Sequence, residues 1–178
     1  MLKSGGMWAK MVSPTKQVGK SRKVAMQEQT DIPVNLNGSF HHKVDAKGRM
    51  SLPASFRKVL PTDLVVTIDP YDECLRAYVT SAFNAWVKKV FEDRFGKYDE
   101  TNKQHVRLRA KLKERAVDVS IDAAGRIMIP AAQRKSVGIK KNVVVCGNEG
   151  YFEIWDEARH NAEETDIDLS LLFPDRSA

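Results

Sequence analysis

The chain is predicted to be an α+β protein. Two copies of one small β-rich unit are expected to interlock as a pseudo-symmetric β-barrel, with a helical hairpin between the halves. Three observations predict this. One block of sequence recurs 77 residues later without a gap. Within each copy, short apolar runs alternate with turn-forming residues. Between the copies, the apolar spacing changes to that of helices.

The repeat aligns Val44-Asp45-Ala46-Lys47-Gly48-Arg49-Met50-Ser51-Leu52-Pro53-Ala54-Ser55-Phe56-Arg57-Lys58 with Ile121-Asp122-Ala123-Ala124-Gly125-Arg126-Ile127-Met128-Ile129-Pro130-Ala131-Ala132-Gln133-Arg134-Lys135, and 8 of the 15 positions are identical. Composition alone would give about one match in such a window. The same offset sets Val66-Thr67-Ile68 against Val143-Val144-Val145, and Leu75-Arg76-Ala77-Tyr78 against Phe152-Glu153-Ile154-Trp155. Each copy reads as a strand ending at the Asp, an Asp-x-x-Gly turn, and a second short strand. The Asp side chain suits the turn because it accepts from amides two or three residues on, and Gly supplies positive φ. Pro53 and Pro130 then open a brief helix, where a missing N–H costs nothing. Two more strands follow, joined at Asp69-Pro70-Tyr71-Asp72 in one copy and Gly147-Asn148-Glu149-Gly150 in the other.

Between the copies, Phe83, Trp86, Val87, Val90 and Phe91 mark one face of a helix. A break at Phe95-Gly96 precedes a second helix from about Asn102 to Arg115, with Val106, Ala110 and Leu112 as expected core contacts. The organisation expected is therefore a disordered basic extension over 1–36, a first unit over 37–80, a helical hairpin over 81–116, a second unit over 117–160 and an acidic tail over 161–178. Four strands are too few for an independent unit, since a small sheet leaves its apolar face and edges open. Packing the two copies together covers both.

The net charge is +6 and the pI about 9.3, which favours an anionic partner. The charge is unevenly spread: Met1 to Thr30 carries six Lys/Arg and one acid, whereas Asp156 to Ala178 carries seven acids and two arginines. Cys74 and Cys146 lie in unrelated contexts and read as buried, reduced thiols of a cytoplasmic protein. No zinc-type cluster is spaced along the chain, and His41 and His42, adjacent on a strand, point to opposite faces. Neither a metal nor another cofactor is expected, nor a small-molecule substrate. No apolar run reaches the roughly 18 residues of a membrane span, and no secretory signal is read at the start.

The twice-repeated D-x-x-G-R, followed by an apolar strand and P-x-x-x-R, resembles the paired signatures of the MraZ family from about Gly38 to Trp155. Each unit is also similar to the AbrB-type swapped-hairpin fold, here with both halves on one chain. The resemblance implies a transcriptional regulator; repression is expected because a ring spread over a promoter would block polymerase, and a place at the nucleoid is expected with DNA binding. The regulator would bind direct repeats in double-stranded DNA upstream of its own cell-division and cell-wall operon. A ring-shaped homo-oligomer, such as an octamer, is implied as well.

The residues point the same way. Arg49 and Arg126 follow the turn glycines, where a planar guanidinium reaches a phosphate or the O6/N7 edge of guanine. The candidate DNA-contacting set is Asp45, Lys47, Gly48 and Arg49 in the first turn, Asp122, Gly125 and Arg126 in the second, and Lys43 on the approaching strand. Lys47 has Ala124 as its counterpart, so the first turn is the stronger phosphate binder. Arg57, Lys58, Arg134 and Lys135 are either further phosphate contacts or solvated surface. In the bland alternative, each Asp–Arg pair only locks its turn. An enzyme with an Asp45/Asp122 dyad is disfavoured, because each Asp has an Arg nearby to keep it ionised. An AbrB-like antitoxin or general regulator, and a ring-forming scaffold without DNA, are the remaining rivals.

Overall fold

The computed structural model describes residues 34–164 and 167–173. The basic extension falls almost wholly outside them, as does the end of the acidic tail. In chain order the elements are β1 (Ser39–Lys43), β2 (Arg49–Ser51), α1 (Ala54–Arg57), β3 (Asp63–Ile68), β4 (Leu75–Val79), α2 (Thr80–Phe95), α3 (Lys103–Glu114), β5 (Val117–Ser120), β6 (Arg126–Met128), α4 (Ala131–Ser136), β7 (Asn142–Gly147), β8 (Tyr151–Asp156) and α5 (Glu157–Glu164), followed by a short 3-10 helix, Leu169–Leu172. The fold is α+β with antiparallel pairing throughout the described strands.

Six strands form one sheet in the order β1-β7-β8-β4-β3-β5, and β2 pairs separately with β6. The copies exchange strands: β1 of the first unit lies on β7 of the second, and β5 of the second lies on β3 of the first. At two places a residue faces its own repeat counterpart. Arg76 is in register with Glu153 in β4–β8, and Met50 with Ile127 in β2–β6. A pseudo-twofold axis therefore passes through both pairs. Among the described residues the closed barrel expected from the sequence is not found. The six-stranded sheet ends at β1 and β5, and the β2–β6 ribbon stands apart from it.

The register also corrects the repeat. The 77-residue offset holds through Pro53/Pro130 and again at β4/β8, but β3 matches β7 at an offset of 79. Asp63 pairs with Ser120 as Asn142 pairs with Lys43. The second copy has two more residues between its short helix and β7, and two fewer in its hairpin loop, where Gly147 faces Phe152 but Ile68 faces Leu75. The physical reason is that a slip of two residues returns every side chain to its own face, so the pleat does not mark it, and a run of buried β-branched residues offers no distinctive side chain to fix its phase.

The main core lies beneath the ribbon. Met50, Leu52, Ile127 and Ile129 pack with Leu64, Val66, Leu75, Val143, Val145, Phe152 and Ile154, all buried. Phe56 sits edge-on to Phe40 at 5.3 Å and against Phe152 at 5.7 Å. Its repeat counterpart is Gln133, also buried, whose amide donates to the carbonyls of Val66 (3.0 Å) and Arg115 (2.8 Å). A second cluster joins Val65 and Tyr78 to Phe83, Val87 and Phe91 of α2.

The helical pair departs from expectation. Val90 is exposed on α2, and on α3 Val106 and Ala110 are exposed while Leu112 is half-buried. The buried residue of α3 is His105, packed at a tilt among the rings of Phe91, Phe95 and Tyr98. Aromatic rings at the end of α2 hold α3 by its first turn, which rotates the aliphatic positions outward. No helix among the described residues is long and apolar enough to cross a membrane.

Candidate nucleic-acid interface

The two Asp-x-x-Gly-Arg turns fold alike. Oδ1 of Asp45 accepts from the amides of Lys47 and Arg49, both at 2.9 Å, and Oδ1 of Asp122 accepts from those of Ala124 and Arg126, both at 2.9 Å. The amide of each glycine donates to its Asp carbonyl, at 2.9 Å for Gly48 and 2.8 Å for Gly125. The glycines stand at φ +86° and +72°, where a side chain is strained. The other carboxylate oxygen takes the arginine: Arg49 Nε donates to Asp45 Oδ2 at 2.7 Å, and Arg126 reaches Asp122 Oδ2 through Nε (2.9 Å) and Nη2 (2.8 Å).

These bonds hold both carboxyls below the ordinary carboxylate value of 3.8. For Asp45 the Arg49 backbone amide contributes most, and for Asp122 the Arg126 side chain does. Each Asp is thus kept ionised by its own turn, which opposes a proton shared between them. A carboxyl lowered on folding contributes stability above its unfolded value and loses it as pH falls through the folded value. The stability difference between wild type and an Asp45→Asn/Asp122→Asn variant is therefore expected to be full near neutral pH. It should begin to shrink around 3.8 and close below the lowered values. Urea titrations at a series of pH values check this.

The ribbon sets the arginines on one surface. In β2 and β6 the middle residues, Met50 and Ile127, are buried, and Arg49, Ser51, Arg126 and Met128 turn to the opposite, outer face. Arg49 is in register with Met128 and Ser51 with Arg126. The two arginines are thus a diagonal pair, with Cα atoms about 7–8 Å apart. Both arginine side chains remain about one-third exposed, 33% for Arg49 and 35% for Arg126. Lys47 is exposed at the tip of the first turn, and exposed Lys43 lines a cleft with Ser51 beside the ribbon.

Each turn is also built by both copies. The carbonyl of Gly125 accepts from Leu52 N–H at 3.0 Å, and that of Gly48 accepts from Ile129 N–H at 2.9 Å. A Cβ at Gly48 would stand 2.8 Å from Nη2 of Arg134, and one at Gly125 would stand 2.6 Å from Nη1 of Arg57. The helix arginine of one copy therefore lies over the turn glycine of the other. The P-x-x-x-R motif marks Arg57 and Arg134 in the sequence, but only strand exchange reveals which turn each one covers. Nε of Arg134 is buried and makes no hydrogen bond among the described residues. His42, half-buried with Arg57 near, has its pKa lowered first by burial and then by that charge.

The chain matches, over residues 36–106 and again over 112–175, the family described as "MraZ protein, putative antitoxin-like". The two matches take in both turns and α2, and residues 107–111 of α3 fall between them. This chain belongs to the MraZ family. Among its relatives is the "Transcriptional regulator MraZ" of Marinomonas sp. (strain MWYL1), 35% identical over 135 residues, covering 74% of this chain and 86% of that one. The MraZ regulator of Alcanivorax borkumensis is 32% identical over 126 residues, covering 68% and 83%. That of Pseudomonas savastanoi pv. phaseolicola is 33% identical over 133 residues, covering 72% and 84%.

Proposed function

We propose that this MraZ member is a DNA-binding transcriptional regulator that reads double-stranded DNA with the β2–β6 ribbon. One observation carries the reading: Arg49 and Arg126 stand on the outer face of an exposed two-stranded ribbon, related by the axis through Met50 and Ile127. The major groove admits such a ribbon, and an arginine fork matches guanine O6/N7. In this reading Asp45, Gly48, Asp122 and Gly125 shape the turns that aim the two forks. Lys43, Lys47, Arg57 and Arg134 flank the ribbon and take phosphates, which position the protein without reading sequence. The exchange of β1 and β5 between the copies is read as a swapped-hairpin arrangement, and the core of each unit as running to β4 or β8.

One chain offers few phosphate contacts, and affinity that rests on counterion release is weak at physiological salt. A homo-oligomer, such as an octameric ring, would make each further contact intramolecular. Direct repeats about one helical turn apart would then meet successive subunits on one side of the duplex. The regulator so described acts at the nucleoid and represses its own cell-division and cell-wall operon, because a ring over a promoter blocks polymerase.

The test is a titration of the full chain onto a duplex carrying its own upstream repeats, and onto a scrambled duplex, at several salt concentrations. Tighter binding to the repeats, with log affinity falling linearly against log salt, is the expected result. Equal affinity for both duplexes removes sequence reading, and no binding to either removes the DNA partner.

A further inference from the structure

The segment after α5 exposes a dense apolar surface. Ile167, Leu169, Leu171, Leu172 and Phe173 are 63–85% exposed. The short 3-10 helix is held by Asp168, whose carboxylate accepts from Ser170 N–H at 2.9 Å. Five large apolar side chains in seven residues, presented to solvent on an ordered turn, suit a buried seat. In sequence the segment is acidic as well: Glu163, Glu164 and Asp166 precede it and Asp168 lies within it.

A matching surface lies on α3. Because His105 turns inward, Leu108 is 41% exposed beside Lys103, Arg107 and Lys111, which recur every four residues along the helix. Lys103, Gln104, Arg107 and Leu108 line a shallow cleft there. It offers an apolar floor with a cationic rim, opposite in sign to the acidic, apolar segment. Such complementarity selects one partner and disfavours like-charged ones.

We infer that residues 167–173 of one copy dock on the α3 cleft of a second copy, with Asp168 against Lys103 and Arg107. The inference rests on the homo-oligomer reading above and names the two surfaces that would make the contact. It gives α3 a protein partner and leaves the DNA to the ribbon.

The experiment measures the mass of the full chain by light scattering for wild type, for Leu171→Ser/Leu172→Ser and for Lys103→Glu/Arg107→Glu. All changes are at exposed positions, and circular dichroism checks that each variant is folded. A mixture of 14N- and 15N-labelled wild type is also treated with a zero-length carbodiimide cross-linker. Expected are a wild-type oligomer, at least a tenfold weaker assembly for both variants, and mixed-isotope cross-links from Lys103 to Asp168. A wild-type monomer would overturn the oligomer reading together with this inference. An oligomer unchanged in either variant would overturn the docking alone. Cross-links confined to single-isotope pairs would place the segment on its own chain and likewise overturn it.

Discussion

Replacing Arg49 and Arg126 with Ala is expected to abolish preference for the upstream repeats while leaving the protein folded and its assembly unchanged. Each bidentate arginine–guanine pair is worth about 1–3 kcal/mol of discrimination, or roughly 5- to 150-fold. Two per chain act in every subunit that touches DNA, so the double variant should approach nonspecific binding. Arg49→Lys and Arg126→Lys sharpen the result. Lysine keeps the charge but not the planar fork. A phosphate contact would survive the exchange with most of its affinity and salt slope, whereas a base-edge contact would lose discrimination. If the Ala variants bind the repeats as tightly as wild type, the Asp–Arg pairs are only turn locks, and contact falls to Arg57, Arg134 and Lys47. Anisotropy titrations on repeat and scrambled duplexes separate these outcomes.

The largest loss of stability is expected from Phe56→Ala, at about 3–5 kcal/mol. Phe56 is 1% exposed and touches Phe40 of β1 and Phe152 of β8, so it ties the first unit's helix to strands on both sides of the exchange. Domains hold about 5–15 kcal/mol in all, so the variant would sit close to unfolding at ambient temperature. At the counterpart position, Gln133→Ala should cost less, about 1–3 kcal/mol. It removes little apolar surface but leaves the carbonyls of Val66 and Arg115 without that donor. The two denaturant midpoints, measured with unchanged slope, should fall in that order. Equal losses would mean that the repeats carry their cores symmetrically, against the geometry seen here.

What the sequence made legible was what local chemistry dictates. Asp-x-x-Gly-Arg specifies its own turn through side-chain-to-amide bonds, so the paired turns stand where the repeat placed them. The pairing of Met50 with Ile127 was implicit in the repeat, because a twofold arrangement brings equivalent residues together. The phase of β3 against β7 was hidden. Val65-Val66 and Val143-Val144-Val145 are buried on both faces, and nothing in a valine run resists a two-residue slip. The outward turn of α3 was hidden too, since one histidine among aromatic rings outweighs Val106 and Ala110. The covering of Gly48 by Arg134 and of Gly125 by Arg57 depends on strand exchange, a tertiary fact that no local window contains.

The claim that the ribbon's outer face enters the groove is tested most directly from Met128, which is 49% exposed and in register with Arg49. A Met128→Cys variant, coupled to an azidophenacyl photoprobe and bound to the repeat-bearing duplex, is irradiated, and its cross-links are mapped to single nucleotides. The account predicts cross-links to bases within each repeat, recurring at the repeat spacing. A complex that forms with full affinity but cross-links nowhere within the repeats from this position would contradict it.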